Sequence, residues 1–520
     1  MTTATAGETP TVVLGPAGTT AADVAAVARH GAQVALSPAA LTAIADARQT
    51  VETLAAGPKP AYGISTGFGA LATRHIDVAL RADLQRSLIR SHAAGLGDPV
   101  EPEVVRGMMF LRLKTLCSGH TGVRPVVAQT LAALLNAGIV PVVREYGSLG
   151  CSGDLAPLAH CALVLMGEGE ALGSDGLPRP ARPMLDAAGI TPVTLGPKEG
   201  LALVNGTDGM LATLILACAD FASLCRVADI TAALSVEALL GTDQVFLPEL
   251  QQPLRPHPGQ AASADNILRL LAGSAIVASH REGDQRVQDA YSLRCAPQVA
   301  GAARDTLDHA CLVAERELAA AIDNPVVLGD GRVMSNGNFH GAPIAYVLDF
   351  LAIAAADLGS MSERRTDRML DPARSHGLPP FLADDPGVDS GLMIAQYTQA
   401  ALVSENKRLA VPASVDSIPS SAMQEDHVSM GWGAGRKLRA VLANLARILA
   451  VELVTATRAV ELRSPLRPAP GTAAVVRALR ESVPGCGPDR FLAPELATAA
   501  DLIRRGDIAA AAAAVIGPLR

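Results

Sequence analysis

Aromatic residues make up only 3% of this 520-residue chain, with a single tryptophan, and charged residues only 18%. So few aromatics disfavour an extensive β-sheet. The eight cysteines stand at 117, 151, 161, 218, 225, 295, 311 and 486. None forms a Cys-x-x-Cys pair, which removes the usual zinc and redox signatures. A disulfide framework is not expected in so large a chain without a secretion signal. Residues 1–10 have neither the basic start nor the apolar core of a signal peptide. No uninterrupted apolar run reaches about eighteen residues, so no membrane span is expected and the cytoplasm is the default location. There is no dense basic run, and the net charge is −8; nucleic acid and anionic membranes are therefore disfavoured as partners. The spaced charges of residues 437–447 read as a solvated helix face. The eleven histidines are dispersed, without a His-Glu-x-x-His pair, so no metal is expected.

What is present is aliphatic. Hydrophobic residues reach 49%, more than one compact monomer usually buries, which points to helices buried all round or packed against other copies of the chain. Val441, Leu442, Leu445, Ile448 and Leu449 recur at the spacing of one helix face, as do Ile344, Val347, Leu348, Leu351, Ala355 and Leu358 behind Pro343. The apolar stretch 210–225, broken by Asp220, fits a buried core helix. Turn clusters fall at residues 63–69, 147–153 and 173–183. The expected organisation is a disordered 1–10, a smaller mixed N-terminal region over 11–205, a long central helical bundle over 206–460 and shorter helices over 461–520. The last region is punctuated by Pro465, Pro468, Pro470, Pro484 and Pro488. The fold class is mainly α.

The segment Tyr146-Gly147-Ser148-Leu149-Gly150-Cys151-Ser152-Gly153-Asp154-Leu155-Ala156-Pro157 is open to four readings. The first is a loop with Asp154 as the N-cap of a helix. A phosphate-cradling loop lacks its Lys-Ser/Thr. A hydrolase elbow would need Gly-x-Ser-x-Gly, whereas here glycine comes one place early and Asp154 ends the pattern. The fourth is self-cyclisation: the Gly153 nitrogen attacks the Cys151 carbonyl carbon, water leaves, and loss of the Ser152 hydroxyl creates an exocyclic methylidene. Glycine suits the attacking position because it tolerates a compressed backbone.

The stretch Gly147–His160 resembles the signature of the aromatic amino acid ammonia-lyase and aminomutase family, with Cys151 where alanine is usual. Five further stretches resemble family motifs, in order. They are Tyr62-Gly63-Ile64-Ser65-Thr66-Gly67-Phe68-Gly69, Leu203-Val204-Asn205-Gly206-Thr207, Gln288-Asp289-Ala290-Tyr291-Ser292-Leu293-Arg294-Cys295, Asn336-Gly337-Asn338-Phe339-His340-Gly341 and Gln424-Glu425-Asp426-His427-Val428-Ser429. The resemblance implies a fumarase/aspartase-like helical architecture and the cofactor 4-methylideneimidazol-5-one (MIO), made from Cys151, Ser152 and Gly153. It also implies a homotetramer whose active sites draw on three subunits, with no dissociable cofactor.

Substrate choice within the family follows the position of Ser91-His92. Histidine-directed members carry Ser-His, tyrosine-directed ones His-Leu and phenylalanine-directed ones Phe-Leu. An imidazole substrate brings a donor and an acceptor into a buried pocket, and His92 and Glu405 are suited to meet them. The resemblance therefore implies L-histidine as substrate and trans-urocanate as product. Ala290 stands where many histidine-directed members have proline; aminomutases often share that alanine, so it does not discriminate. By resemblance, Tyr62 is the base for the β-proton and Arg294 clamps the substrate carboxylate. Asn205 and Tyr291 serve the MIO carbonyl region, Gln288 and Phe339 line the cavity, and Asp154 assists cyclisation. An aminomutase, another ring specificity, or a helical scaffold that has lost activity are the alternatives.

Overall fold

The computed structural model of the chain describes residues 10–57, 63, 64, 66, 67 and 76–520. The expected disorder of the N-terminus concerns residues that, apart from Pro10, lie outside this set. Helices dominate, as the aliphatic composition and scarce strand patterns imply. The four sheets of named strands have two strands each. One is parallel, pairing Thr11–Leu14 with Gln33–Leu36; the other three are antiparallel.

The chain divides into two compact units, each built from three separated stretches. The first holds Met1–Leu216, Cys311–Leu348 and Pro412–Arg436; the second holds Ala217–Ala310, Asp349–Val411 and Lys437–Arg520. Four of the five divisions fall inside the long helices Asp208–Ala238, Ala296–Ala319, Ala342–Leu370 and Gly431–Glu461, and the fifth, between Val411 and Pro412, just after the helix Met393–Leu409.

In the first unit the helix Pro102–Cys117 is buried on nearly every side, charged residues included. Arg112 is accommodated because its guanidinium replaces water with backbone acceptors. Nη1 donates to the carbonyls of Ala202 (3.2 Å) and Asn205 (3.1 Å), and Nη2 to that of Ile322 (2.8 Å). The carbonyls of Ala202 and Asn205 lie at the end of the short helix Glu199–Val204, whose last oxygens have no partner within the helix. A second buried cation, Lys198, donates to Thr121 O at 2.7 Å and to Asp323 Oδ2 at 2.5 Å. Buried charges of this kind persist only when paired and hydrogen-bonded; here they pin the connections that lead into and out of the Asn205 turn.

In the second unit, Leu351, Ala355 and Leu358 of Ala342–Leu370, and Val441, Leu442, Leu445, Ile448 and Leu449 of Gly431–Glu461, are all buried. This is the periodic pattern read from the sequence. The charges of residues 437–447 are not simply solvated. Lys437 pairs with Asp349 at 2.9 Å, and Arg439 pairs with Asp220, the interruption in the apolar stretch 210–225, at 2.6 Å. Among the described residues, Glu199–Ala238, Ala342–Leu370 and Gly431–Glu461 are long and apolar enough to cross a membrane by length and composition. Counting only uninterrupted apolar runs had missed them, because each tolerates a few charges. Burial inside the protein covers 72%, 56% and 83% of their most apolar windows.

Candidate active site

The tripeptide lies in the first unit, in the turn that enters the helix Leu155–Leu165. Neighbours distant in sequence fix it from several sides. The Gly150 carbonyl accepts from Ser429 Oγ at 2.8 Å and from the Gly341 amide at 3.2 Å, while Met430 N donates to Leu149 O at 2.9 Å. On the far side of the tripeptide, Asp154 N donates to Gly206 O at 2.7 Å. The approach is so close that glycine is required at 153: a Cβ there would stand 2.1 Å from Gly206 O, and φ is +78°. Gly150 is equally constrained, with φ +65° and Ser429 Oγ 2.2 Å from where a Cβ would be.

Asp154 occupies the N-cap position, but its side chain does not cap the helix. It points inward, accepting from Met210 N at 2.9 Å and Ser148 Oγ at 2.9 Å. Burial pushes its carboxyl up to about 7, against those two donors. The capping reading is therefore replaced by that of a buried acid poised to exchange a proton near neutrality.

Ser152 and Cys151 share one partner that the sequence did not single out. Ser152 Oγ donates to Glu425 Oε1 at 2.9 Å, and Cys151 Sγ donates to Glu425 Oε2 at 3.3 Å. Ser420 Oγ adds a bond to Oε2 at 2.8 Å, and the backbones of Ser420 and Glu425 bridge each other. Ser421, Ala422 and Met423, which connect them, all have φ between 53° and 69°. Left-handed backbone at three successive non-glycine residues costs on the order of 1–2 kcal/mol each, and such strain gathers where a side chain must be aimed. Burial, with Glu425 adding to it, pushes the Cys151 thiol up to about 12, so it remains a protonated donor and not a nucleophile.

The other expected site residues divide between the units. His92 ends the helix Arg81–His92, with Nδ1 3.1 Å from Ser91 Oγ. Burial lowers its pKa, opposed by a Leu88 backbone bond and by the charge of Glu425. Asn205 is buried; Nδ2 donates to Asn324 O at 3.0 Å, and Oδ1 has no partner among the described residues. Phe339 sits half-buried in the turn that leads to Gly341 and so to the Gly150 carbonyl. The same turn stacks His340 on His427, with ring centroids 5.3 Å apart. No group of three or more potential metal ligands occurs among the described residues. Tyr62 lies outside the described residues. Gln288, Tyr291, Arg294 and Glu405 belong to the second unit. There the Arg294 guanidinium lies over the Tyr291 ring at 4.8 Å, and Glu405 pairs with Arg408 at 3.0 Å.

Comparison with known proteins accords with this arrangement. The family described as aromatic amino acid lyase matches residues 19–481. The chain is 70% identical over 510 residues to the histidine ammonia-lyase of Streptomyces avermitilis, covering 98% of this chain and 99% of that one. Among solved structures it is similar to a tyrosine aminomutase from Streptomyces globisporus, with a TM-score of 0.93, 38% identity and coverage of 98% and 100%. It is also similar to the histidine ammonia-lyase of Trypanosoma cruzi, with a TM-score of 0.88, 38% identity and coverage of 96% and 95%. The fold is the fumarase/aspartase-like helical one expected. Likeness over nearly the whole length, around a tripeptide locked between Gly206 and Glu425, leaves one assignment: the chain belongs to the aromatic amino acid lyase family.

Proposed function

We propose that this protein eliminates ammonia from L-histidine to give trans-urocanate, the opening step of histidine breakdown, using MIO formed from Cys151, Ser152 and Gly153. The observation that carries the reading is the Ser152 hydroxyl held by a carboxylate beside a glycine that admits no side chain, in a chain 70% identical to a histidine ammonia-lyase. The residues present fit the group. Ser152 supplies the methylidene carbon, Gly153 the ring nitrogen and Cys151 a carbonyl carbon, and two waters leave. Loss of the Ser152 hydroxyl as water needs a proton delivered to its Oγ and the Ser152 α-proton removed. Glu425, bonded to Oγ, is placed to relay the first, and Asp154, pushed up to about 7, to exchange protons as the ring closes.

The methylidene would supply an electron-poor alkene able to capture the substrate's amine or its imidazole ring. The chain's own groups do the rest. Once the Ser152 hydroxyl has gone, Glu425 Oε1 loses its donor, while Oε2 stays held by Ser420 and Cys151. That leaves a carboxylate oxygen free to accept a proton at the reacting end of the substrate. Tyr62 takes the β-proton, a role that rests on the family resemblance. Arg294 grips the carboxylate with its planar fork, Asn205 and Tyr291 hydrogen-bond the MIO carbonyl region, and Gln288 and Phe339 line the cavity. His92 and Glu405 recognise the imidazole ring.

The active unit is a homotetramer in the cytoplasm, with each site completed by residues of three subunits. Tyr346, Phe350 and Ile353 support association. They stand at i, i+4 and i+7 on the helix Ala342–Leu370 and are 49%, 45% and 47% exposed, an apolar stripe that one chain leaves uncovered.

The test is incubation with L-histidine while following urocanate absorbance, with L-tyrosine and L-phenylalanine as rivals. Faster turnover of either rival would overturn the substrate assignment. A β-amino acid in place of urocanate would favour an aminomutase, a reaction the similar Streptomyces globisporus structure keeps in view. Replacing His92 by phenylalanine removes the polar partner of the ring. We expect kcat/KM for L-histidine to fall by about 100-fold or more, since a site built for hydrogen bonds is left unpaired. Turnover of L-phenylalanine, measured as cinnamate, should rise relative to it. An unchanged ratio would show that His92 does not read the ring.

A further inference from the structure

We propose that the buried ion pair of Arg365 and Glu452 is a positioning device for substrate-carboxylate binding, acting through the backbone of Ser292. The inference rests on the reading of Arg294 as the carboxylate clamp, and all the residues it uses lie in the second unit. Arg365 and Glu452 have side-chain exposures of 2% and 0%. Nε of Arg365 donates to Glu452 Oε1 at 2.5 Å and Nη2 to Oε2 at 2.9 Å, a two-pronged match of planar groups. Ser235 Oγ donates to Oε1 at 2.8 Å. The third arm of the guanidinium, Nη1, reaches the carbonyl of Ser292 at 3.3 Å.

Ser292 lies inside the four-residue helix Tyr291–Arg294, between the two residues that face the reaction. So short a helix does not hold itself; a single turn fixes several torsions for few hydrogen bonds. The segment before it is tied down separately. Asp289 accepts from Thr242 N at 2.7 Å, and Arg286 donates to Leu239 O at 3.2 Å. Beyond those anchors Tyr291 is 69% exposed, and Arg294 Nε is buried with no partner among the described residues. The Ser292 carbonyl is thus the point at which the clamp turn meets the buried pair.

Stability alone does not account for the pair. Removing two charges from water is costly, and apolar residues of similar volume often serve as well or better. An apolar pair cannot hold a backbone carbonyl with a charge-assisted hydrogen bond. A misplacement of about 1 Å in a positioning group can reduce catalysis by about 100-fold, which is reason enough to keep the bond.

The experiment uses the full-length enzyme with two alterations. Arg365→Met combined with Glu452→Leu removes both charges and strands neither. Arg365→Lys keeps a charge on Glu452 but cannot reach Glu452 and Ser292 together. Each is assayed for KM and kcat with L-histidine and for inhibition by L-histidinol, which has the same ring and amine but no carboxylate. The expected result in either folded variant is a KM raised about tenfold, with kcat and L-histidinol inhibition changed much less. Equal weakening of both ligands, as general loosening would give, overturns the proposal, and so does no change in either. Arg294→Met is the control for the underlying reading. If it leaves the preference for the carboxylate intact, the clamp assignment fails whatever Arg365 does; if it abolishes the preference while the Arg365 variants keep it, only the positioning role fails.

Discussion

Ser152→Ala is expected to leave a folded protein whose turnover of L-histidine falls by about a thousandfold or more, because the only source of the methylidene carbon has lost its leaving oxygen. A thousandfold corresponds to about 4 kcal/mol of barrier, far beyond what one hydrogen bond supplies. The structural cost is small by comparison. Maturation already removes the Ser152 hydroxyl and its bond to Glu425 Oε1 from the parent, so the variant loses no hydrogen bond that the mature parent has, and Ser420 and Cys151 still hold Oε2. Thermal unfolding followed by circular dichroism should therefore show a cooperative transition only slightly below that of the parent. Turnover within tenfold of the parent would mean that the elimination does not need the tripeptide.

Glu425→Gln should cost kcat about 10²- to 10⁴-fold, the range typical of losing a positioned proton-transfer group, with KM changed far less. Glutamine keeps the shape, with its oxygen able to accept from Ser420 and its amide able to donate at the other end, so packing is little disturbed; what disappears is the capacity to take a proton. The three donors around this carboxylate are asymmetric. Two bond Oε2, and the one on Oε1 belongs to a hydroxyl that maturation removes. The freed oxygen is thus oriented in advance to accept a proton at the reacting end of the substrate, a transfer separate from that of the β-proton proposed for Tyr62. Steady-state kinetics with L-histidine decide the matter: an unchanged kcat would remove Glu425 from the reaction.

Helices and motifs were legible in the sequence because both are local patterns. The faces of Ala342–Leu370 and Gly431–Glu461 repeat at a period that only a helix satisfies, and the order Cys151-Ser152-Gly153 is itself the chemistry. Contacts across the chain were not legible. Glu425 stood in a motif already recognised, yet no neighbouring residue announced that its carboxylate meets Ser152, 273 positions earlier. The partner of Asp154 was hidden for the same reason: Asp before an apolar helix is an ordinary cap signal, while the amide that claims it belongs to Met210. The Cys151 thiol takes no part in ring closure, yet it is not without a partner. Its donor bond reaches the carboxylate that Ser152 uses. Apolar runs were also a poor guide to long buried helices, since pairs such as Arg439 with Asp220 admit charge into them.

The central claim is that this chain makes its own electrophile from Cys151, Ser152 and Gly153. The most direct test is the mass of the proteolytic peptide containing those residues, taken from enzyme that is turning over L-histidine. The expected result is a peptide lighter than its sequence by two waters, and a Ser152→Ala peptide that has not lost the water from residue 152. A peptide of unmodified mass from fully active enzyme would contradict it.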